Sequence, residues 1–152
     1  FVMLDDAVTE VRRISHDMVR TSLAQFGLAG ALKDLRDAVH VPGKLEMELD
    51  LFGLDERLEQ NLEIALYRMV QEAVSNILKH AEARHVSVQV TRSGKSVNVM
   101  VEDDGRGFDP SKAAEGMGTG NIRERAREFN GSVAIDARPG RGTIVSIDIP
   151  LA

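Results

Sequence analysis

Apolar residues recur along this chain with two different periods, and the switches between them lay out the elements. Over residues 3 to 23, Leu4, Val8, Val11, Ile14, Met18 and Leu23 stand at helix-like spacing among charged positions, as in an amphipathic helix that packs on a partner. A break at Phe26-Gly27 precedes a shorter predicted helix from Leu28 to Val39, which stops before the turn-forming pair Pro42-Gly43. Leu45, Met47 and Leu49 then alternate with Glu46 and Glu48, predicting a strand with one buried face. From Glu56 to about His80 the residues Leu58, Leu62, Ala65, Met69, Ala73 and Ile77 recur every three or four positions, uninterrupted by glycine or proline, and predict a long helix. Val86, Val88 and Val90 alternate with polar residues, Ser93-Gly94 reads as a hairpin turn, and Val97, Val99 and Val101 alternate again. A glycine-rich stretch from Asp103 to Gly120 leads into a predicted helix from Asn121 to Phe129, closed by Asn130-Gly131, residues that tolerate left-handed cap geometry. Two final strands, Ser132 to Ala137 and Thr143 to Pro150, are joined through Pro139-Gly140-Arg141-Gly142.

Helices mixed with hairpin strands fit an α+β sandwich, one sheet face covered by helices, better than a regular βαβ repeat. The glycine loops are therefore not expected to be dinucleotide-binding loops: GMGTGN lacks the third glycine of that fingerprint, and no GxxxxGK[ST] loop occurs. At 152 residues the chain fits one domain that buries roughly two-thirds of its unfolded surface. It has no cysteine, which excludes a disulfide scaffold and leaves the cytoplasm as the expected compartment. No apolar run approaches the roughly 20 residues needed to cross a bilayer. The chain opens at Phe1 directly in a helical pattern, so a piece of a longer protein is expected, with a membrane-bound parent left open. A net charge of -5 argues against nucleic acid as the main partner. Arg123, Arg125 and Arg127 alternate with Glu124 and Glu128, as on a solvated helix face.

Candidate chemistry gathers at three places. On the long helix Glu72, Asn76 and His80 are spaced by four with Lys79 beside them, so they project from one polar sector near its C-terminal end. An exposed polar face has the same pattern. Asp103 follows Val97, Val99 and Val101 on one strand face, putting a carboxylate at the end of a buried apolar row. Such a group needs partners, and it can accept a hydrogen bond from an exocyclic amine such as that of adenine; it can equally just cap the turn. Gly105 and Gly107 allow close backbone approach or positive φ, and Gly116, Gly118 and Gly120 precede a helix whose N-H groups can hold phosphate. Each feature alone is weak, and their ordered combination is specific.

The segments EAVSNILKHA, EDDGRGFD, GMGTGNIRERA and GRGTIVSIDIP, in that order, resemble the N-box, the two glycine boxes and the closing strand of the Bergerat-fold ATPases. More narrowly they resemble the catalytic, ATP-binding domain of bacterial sensor histidine kinases, over roughly residues 45 to 150. The resemblance implies a two-layer sandwich with a mixed sheet, and a division into an end of the dimerisation hairpin plus connector (1–40) and a catalytic domain (41–152). It implies ATP and Mg2+, with Asn76 holding the metal against the phosphates, Lys79 and His80 near them, and Glu72 orienting or activating the attacking group. Asp103 would bind the adenine amino group, with Thr143 beneath the base. Gly105 and Gly107 would shape the base pocket; Gly116, Met117, Gly118, Thr119 and Gly120 would border the triphosphate, and residues 108 to 117 would form a short lid. Asp104 stands where asparagine is frequent in the superfamily, and Thr119 replaces a commoner bulky apolar residue.

A kinase of this kind passes the γ-phosphoryl group to a histidine on a helical hairpin. His16, in RRISHDMVRTSL, superficially fits, but about 28 residues separate it from the first strand, too few for an acceptor helix, a turn and a return helix. His16 is therefore expected to be an ordinary helix residue. The segment resembles the second hairpin helix and connector of nitrate-sensor-like kinases, with the acceptor upstream of residue 1, so this chain is expected to bind ATP without labelling itself. The implied partners are that acceptor helix, in a homodimer, and a response regulator, with no membrane contact by the fragment. Rival readings are an anti-sigma-factor serine kinase, which lacks a connector like residues 3 to 40, and a degenerate binding module. Chaperone, gyrase and mismatch-repair ATPases carry longer lids and appended domains for which this chain has no room.

Overall fold

The computed structural model describes residues 19–80, 82–106 and 119–151. The first helix, α1 (Val19–Val39), bends at Gly27, whose φ of 72° is left-handed. A Cβ there would approach Arg57 Cδ and Nε to 2.9 Å, so this position suits glycine on two counts. The break expected at Phe26-Gly27 is thus present as a kink between two helical segments. Most of the helix expected over 3 to 23 lies outside the described residues.

Strand β1 (Glu46–Phe52) is followed by helix α2 (Gln60–His80), strands β2 (His85–Arg92) and β3 (Ser96–Asp103), helix α3 (Thr119–Glu128), and strands β4 (Ser132–Arg138) and β5 (Gly142–Pro150). The sheet order is β1-β2-β3-β5-β4. β1 and β2 are parallel, joined by the α2 crossover, and the other pairs are antiparallel. α1 packs on β1 and α2, α2 also on β3, and α3 on β4, β5 and α2. The result is a mixed sheet with helices over one face, the α+β sandwich that the patterning implies. The other face carries mostly polar residues, including Glu46, Glu48, Gln89, Glu102 and Asp136.

The core lies between the layers. Leu28, Leu32, Leu35 and Val39 of α1, Leu66, Met69 and Val70 of α2, and Ile122 and Ala126 of α3 meet the valine and isoleucine rows of the strands. Each fully buried aliphatic side chain contributes about 1.5–3 kcal/mol, so packing rather than helix propensity holds these elements in place.

Helix α2 begins four residues later than the apolar pattern predicts, because side chains before it do other work. The Glu59 carboxylate accepts the N-H groups of Asn61 (3.0 Å) and Leu62 (3.1 Å), fixing the start as a cap does. Arg57 instead reaches back: its Nη2 donates to Leu23 O at 2.7 Å and to the buried Glu63 Oε1 at 2.8 Å, and its Nε faces both Glu63 oxygens. α3 ends as expected, with Asn130 at φ 60°. Gly131 N-H bonds Ala126 O (2.8 Å) and Asn130 N-H bonds Arg127 O (3.0 Å), the paired bonds of a Schellman cap. At the sheet edge, Arg36 Nε donates to Met47 O (3.2 Å) and Met47 N-H donates to His40 Nδ1 (3.0 Å), so α1 covers part of a strand border otherwise open to pairing.

Candidate nucleotide-binding site

Short links bring the candidate residues to one end of the sheet. Only residues 81 to 84 separate α2 from β2, so the chain reverses there and the C-terminal turns of α2 lie above the start of β2. Val86 at that start pairs with Asp103, the last residue of β3, and Asp103 pairs with Thr143 near the start of β5. α3 reverses into β4 through the cap at 129 to 131, and Ser132 pairs with Asp148 at the far end of β5. The N-terminus of α3, roughly 15 Å away along its axis, therefore points back to the Asp103 end. Its first turn contains no acidic residue, so no carboxylate of that turn competes with an anion for its N-H groups.

Asp103 is 5% exposed, in a cross-strand row that reads Met47, Val86, Asp103, Thr143 and Ala137. It continues the apolar row of Val97, Val99 and Val101 on the helix-covered face, as its alternation implies. Its Oδ1 accepts the Gly105 N-H at 2.8 Å, and a backbone hydrogen bond also comes from Thr143. A carboxylate offers about four acceptor positions, so among the described residues capacity remains for a donor from a ligand. Burial pushes the Asp103 carboxyl above the usual carboxylate range; the neighbouring charges of Asp104 and Glu102 act the same way, and the two backbone bonds oppose them. Buried and turned toward the core, with acceptor capacity in reserve, this group is suited to receive an N-H from an uncharged planar base.

Gly142 makes that corner possible. It has φ +91°, and a Cβ on it would lie 2.1 Å from Asp103 O, so only glycine fits between the two strands. The sequence pattern had placed Gly142 only in a connecting turn; its role follows from the register that sets it beside Asp103. Gly105 is buried, consistent with backbone near a ligand. Next to it, the Gly140 N-H bonds to Arg106 O and ties the turn after β4 to the first glycine box.

Glu72 and Asn76 are half-buried on α2 and Lys79 is exposed, so the polar sector borders the core rather than lying wholly in solvent. His80 is the last residue of α2, and Thr119 and Gly120 are the first two of α3. Gly107, Gly116, Met117 and Gly118, with the expected lid, lie outside the described residues. Two hollows of ≈ 330 and ≈ 310 Å3 flank Asp103. Both include Glu102 and Arg141 in their lining and open on the helix-free face, so neither is the apolar pocket expected on the other side.

Asp104 and His85 were not among the residues singled out for a shared role. Asp104 Oδ1 accepts the N-H groups of Arg84 (2.9 Å) and His85 (2.8 Å), and its Oδ2 lies 2.9 Å from His85 Nδ1. The signal was available in the hairpin: counting outward from Ser93-Gly94, Arg92 meets Val97 and Val86 meets Asp103, so His85 falls opposite Asp104.

Comparison with known proteins agrees with this geometry. Residues 61–152 match the family described as histidine kinase-, DNA gyrase B-, and HSP90-like ATPase. The chain is 35% identical over 150 residues to the signal transduction histidine-protein kinase/phosphatase DegS of Brevibacillus brevis, covering 98% of this chain and 39% of that protein. Among solved structures, the histidine kinase domain of the blue-light activated histidine kinase from Erythrobacter litoralis EL346 superposes with a TM-score of 0.68 at 24% identity, over 95% of this chain and 73% of that one. The histidine kinase AdeS of Acinetobacter baumannii gives 0.60 at 14% identity, over 98% and 76%. These likenesses establish that the sandwich is the catalytic-domain fold of histidine kinases. With the matched segment spanning the α2 polar sector, Asp103 and the closing strand, the chain belongs to the family of histidine kinase-, DNA gyrase B- and HSP90-like ATPases.

Proposed function

We propose that this domain binds Mg-ATP with its adenine on Asp103, and that in a longer parent protein it delivers the γ-phosphoryl group to a histidine on a dimerisation hairpin. The observation that carries the reading is the buried Asp103 carboxylate, which keeps acceptor capacity after its bonds to Gly105 and Thr143. Thr143, paired with it on β5, forms the floor beside the base. Asn76, Lys79 and His80 sit toward the phosphates on α2, and the N-terminus of α3 with Thr119 and Gly120 faces them from the other side. Gly105 and Gly107 shape the base side, and Gly116, Met117 and Gly118 the phosphate side.

Among the described residues no group of three His, Cys, Asp or Glu could cage a metal. Mg2+ keeps waters and phosphate oxygens and takes few protein ligands; the Asn76 amide oxygen is a hard donor of the right kind. Bound there, the ion would neutralise charge on the phosphates. Glu72, one helical turn before Asn76, orients or activates the attacking group. The protein's share of the chemistry is then positioning and charge stabilisation rather than covalent catalysis. The acceptor histidine is supplied by the hairpin rather than by His16, and the phosphoryl group passes onward to a response regulator.

The reading is tested by calorimetric titration of a non-hydrolysable ATP analogue with Mg2+ into wild type and Asp103→Asn. A hydrogen bond to a charged acceptor is worth roughly 1.5–3 kcal/mol, so the variant should bind about tenfold to a hundredfold more weakly. Equal binding by both would place the base elsewhere.

A further inference from the structure

The residue between Asp103 and Gly105 is anchored at several points to a single place. Asp104 N-H donates to His85 O (3.2 Å), and its carboxylate takes the Arg84 and His85 N-H groups and faces His85 Nδ1 at 2.9 Å. The other ring nitrogen of His85, Nε2, lies 3.2 Å from Glu46 on β1. Residues 84 and 85 are where the link from α2 enters β2. The same contacts therefore join the segment that ends the phosphate-side helix to the turn that holds the adenine acceptor.

We propose that Asp104 and His85 are positioning residues for nucleotide binding: their ion pair locks the Asp103-Asp104-Gly105 turn to the start of β2, holding Asp103 at the angle that receives adenine. The proposal rests on adenine binding at Asp103. With imidazolium, the Asp104 carboxylate forms a charge-assisted pair that an amide at this position could not.

The surroundings favour the charged ring. The hollow beside His85 is lined by Glu48 from β1, Glu102 and Asp104 from β3 and its turn, and Arg141 from the turn before β5, with Glu46 paired to the ring and Arg84 adjacent in the chain; the Asp103 side chain is on the opposite face. The hydrogen bond to Asp104 raises the His85 pKa above its ordinary value; desolvation opposes it, and the charges of Asp104 and Glu46 add to the rise. Asp104 moves the other way: slight burial pushes it up, but the bonds from His85 and Arg84 outweigh this and hold it below the usual carboxylate range.

The experiment measures affinity for a non-hydrolysable ATP analogue with Mg2+ from about pH 5.5 to 8.5, a range that brackets histidine titration. Wild type, His85→Gln, Asp104→Asn, the double variant and Asp103→Asn are compared as ratios, which cancels titration of the ligand itself. Wild type should exceed His85→Gln by about threefold at low pH, as an exposed pair allows, with the ratio approaching one as pH rises through the His85 pKa. The ratio of wild type to Asp104→Asn should likewise be largest at low pH and fall as pH rises. The variant's Oδ1 still accepts both backbone N-H groups, but its amide N-H2 meets His85 Nδ1, which accepts only when the ring is neutral. The ratio of the double variant to His85→Gln, both without the titrating ring, should be flat. A purely structural role would lower affinity equally at every pH, so flat ratios for both single variants would overturn the proposal. Weak binding by Asp103→Asn at all pH values alongside flat ratios would overturn it while leaving the adenine site standing; full binding by Asp103→Asn would remove the site on which it rests.

Discussion

Burial of the Asp103 carboxylate works against the empty domain even as it prepares the site. Its folded-state pKa lies above the ordinary carboxylate value, chiefly because of desolvation. The folded protein then holds that proton more tightly than the unfolded chain, and stability falls as pH rises through the window between the two values. Asp103→Asn keeps an oxygen for the Gly105 N-H and removes the buried charge, so without nucleotide it should unfold at a higher temperature than wild type at neutral pH, and the difference should vanish in acid. Thermal unfolding followed by circular dichroism at several pH values checks this; a less stable variant at neutral pH would mean that the carboxylate has a stabilising partner. Loss of function with gain of stability is the pattern expected where a site is held ready for a ligand. His85 and Asp104 have the opposite relation to stability. The His85 contribution is fully present below the ordinary histidine pKa and fades as pH rises through its raised value, and that of Asp104 is present above the ordinary carboxylate pKa and fades in acid.

Among the elements, α1 depends on a clamp that apolar patterning does not reveal. Arg57 holds Leu23 O on one side of the Gly27 kink and the buried Glu63 on α2. Arg57→Ala leaves that buried carboxylate without its partner, a more damaging change than Glu63→Gln, which keeps an acceptor and removes the charge. Hydrogen exchange should show faster opening of α1 in Arg57→Ala than in Glu63→Gln; equal protection in both would assign α1 its stability from the Leu28, Leu32 and Leu35 packing alone. The same region shows where sequence and structure part. The strands were legible because alternating valines in β2 and β3 record the pleat directly, and the α3 cap was legible because Asn130-Gly131 is one of few pairs that end a helix that way. The start of α2 was not: Leu58 continues the apolar period and is buried, while the first turn is set by the Glu59 cap and the pull of Arg57 toward Leu23. Likewise Asp103 stood out as a carboxylate ending an apolar row, but Gly142 and the His85–Asp104 pair became visible only through cross-strand register, a relation between residues distant in sequence.

For the molecule as a whole, a single core between sheet and helices supports a site at one end, with the polar face left open on the other side. One defect in that core is Tyr67, fully buried with a hydroxyl that has no hydrogen-bond partner among the described residues. Desolvation raises its pKa, so the group stays a neutral phenol at physiological pH. Removing an unsatisfied buried hydroxyl recovers about 1–3 kcal/mol of desolvation, offset in part by the small void left behind. Tyr67→Phe should therefore be at least as stable as wild type and bind nucleotide unchanged, as judged by urea unfolding and titration. A clear destabilisation would show that the hydroxyl is bonded in solution. Among the described residues no helix is long and apolar enough to cross a membrane, and the chain spans 39% of the length of its DegS relative.

The central claim, that Asp103 reads the adenine amino group, is tested most directly by crossing a protein change with a ligand change. ATP and ITP differ at purine position 6, an amino donor in one and an oxo acceptor in the other, and each is titrated with Mg2+ into wild type and Asp103→Asn under conditions that prevent hydrolysis. The account predicts that wild type prefers ATP by about tenfold or more, and that Asp103→Asn, whose amide can donate to the oxo group, loses or inverts that preference. The same preference for ATP in both proteins would contradict it and place the base against another part of the site.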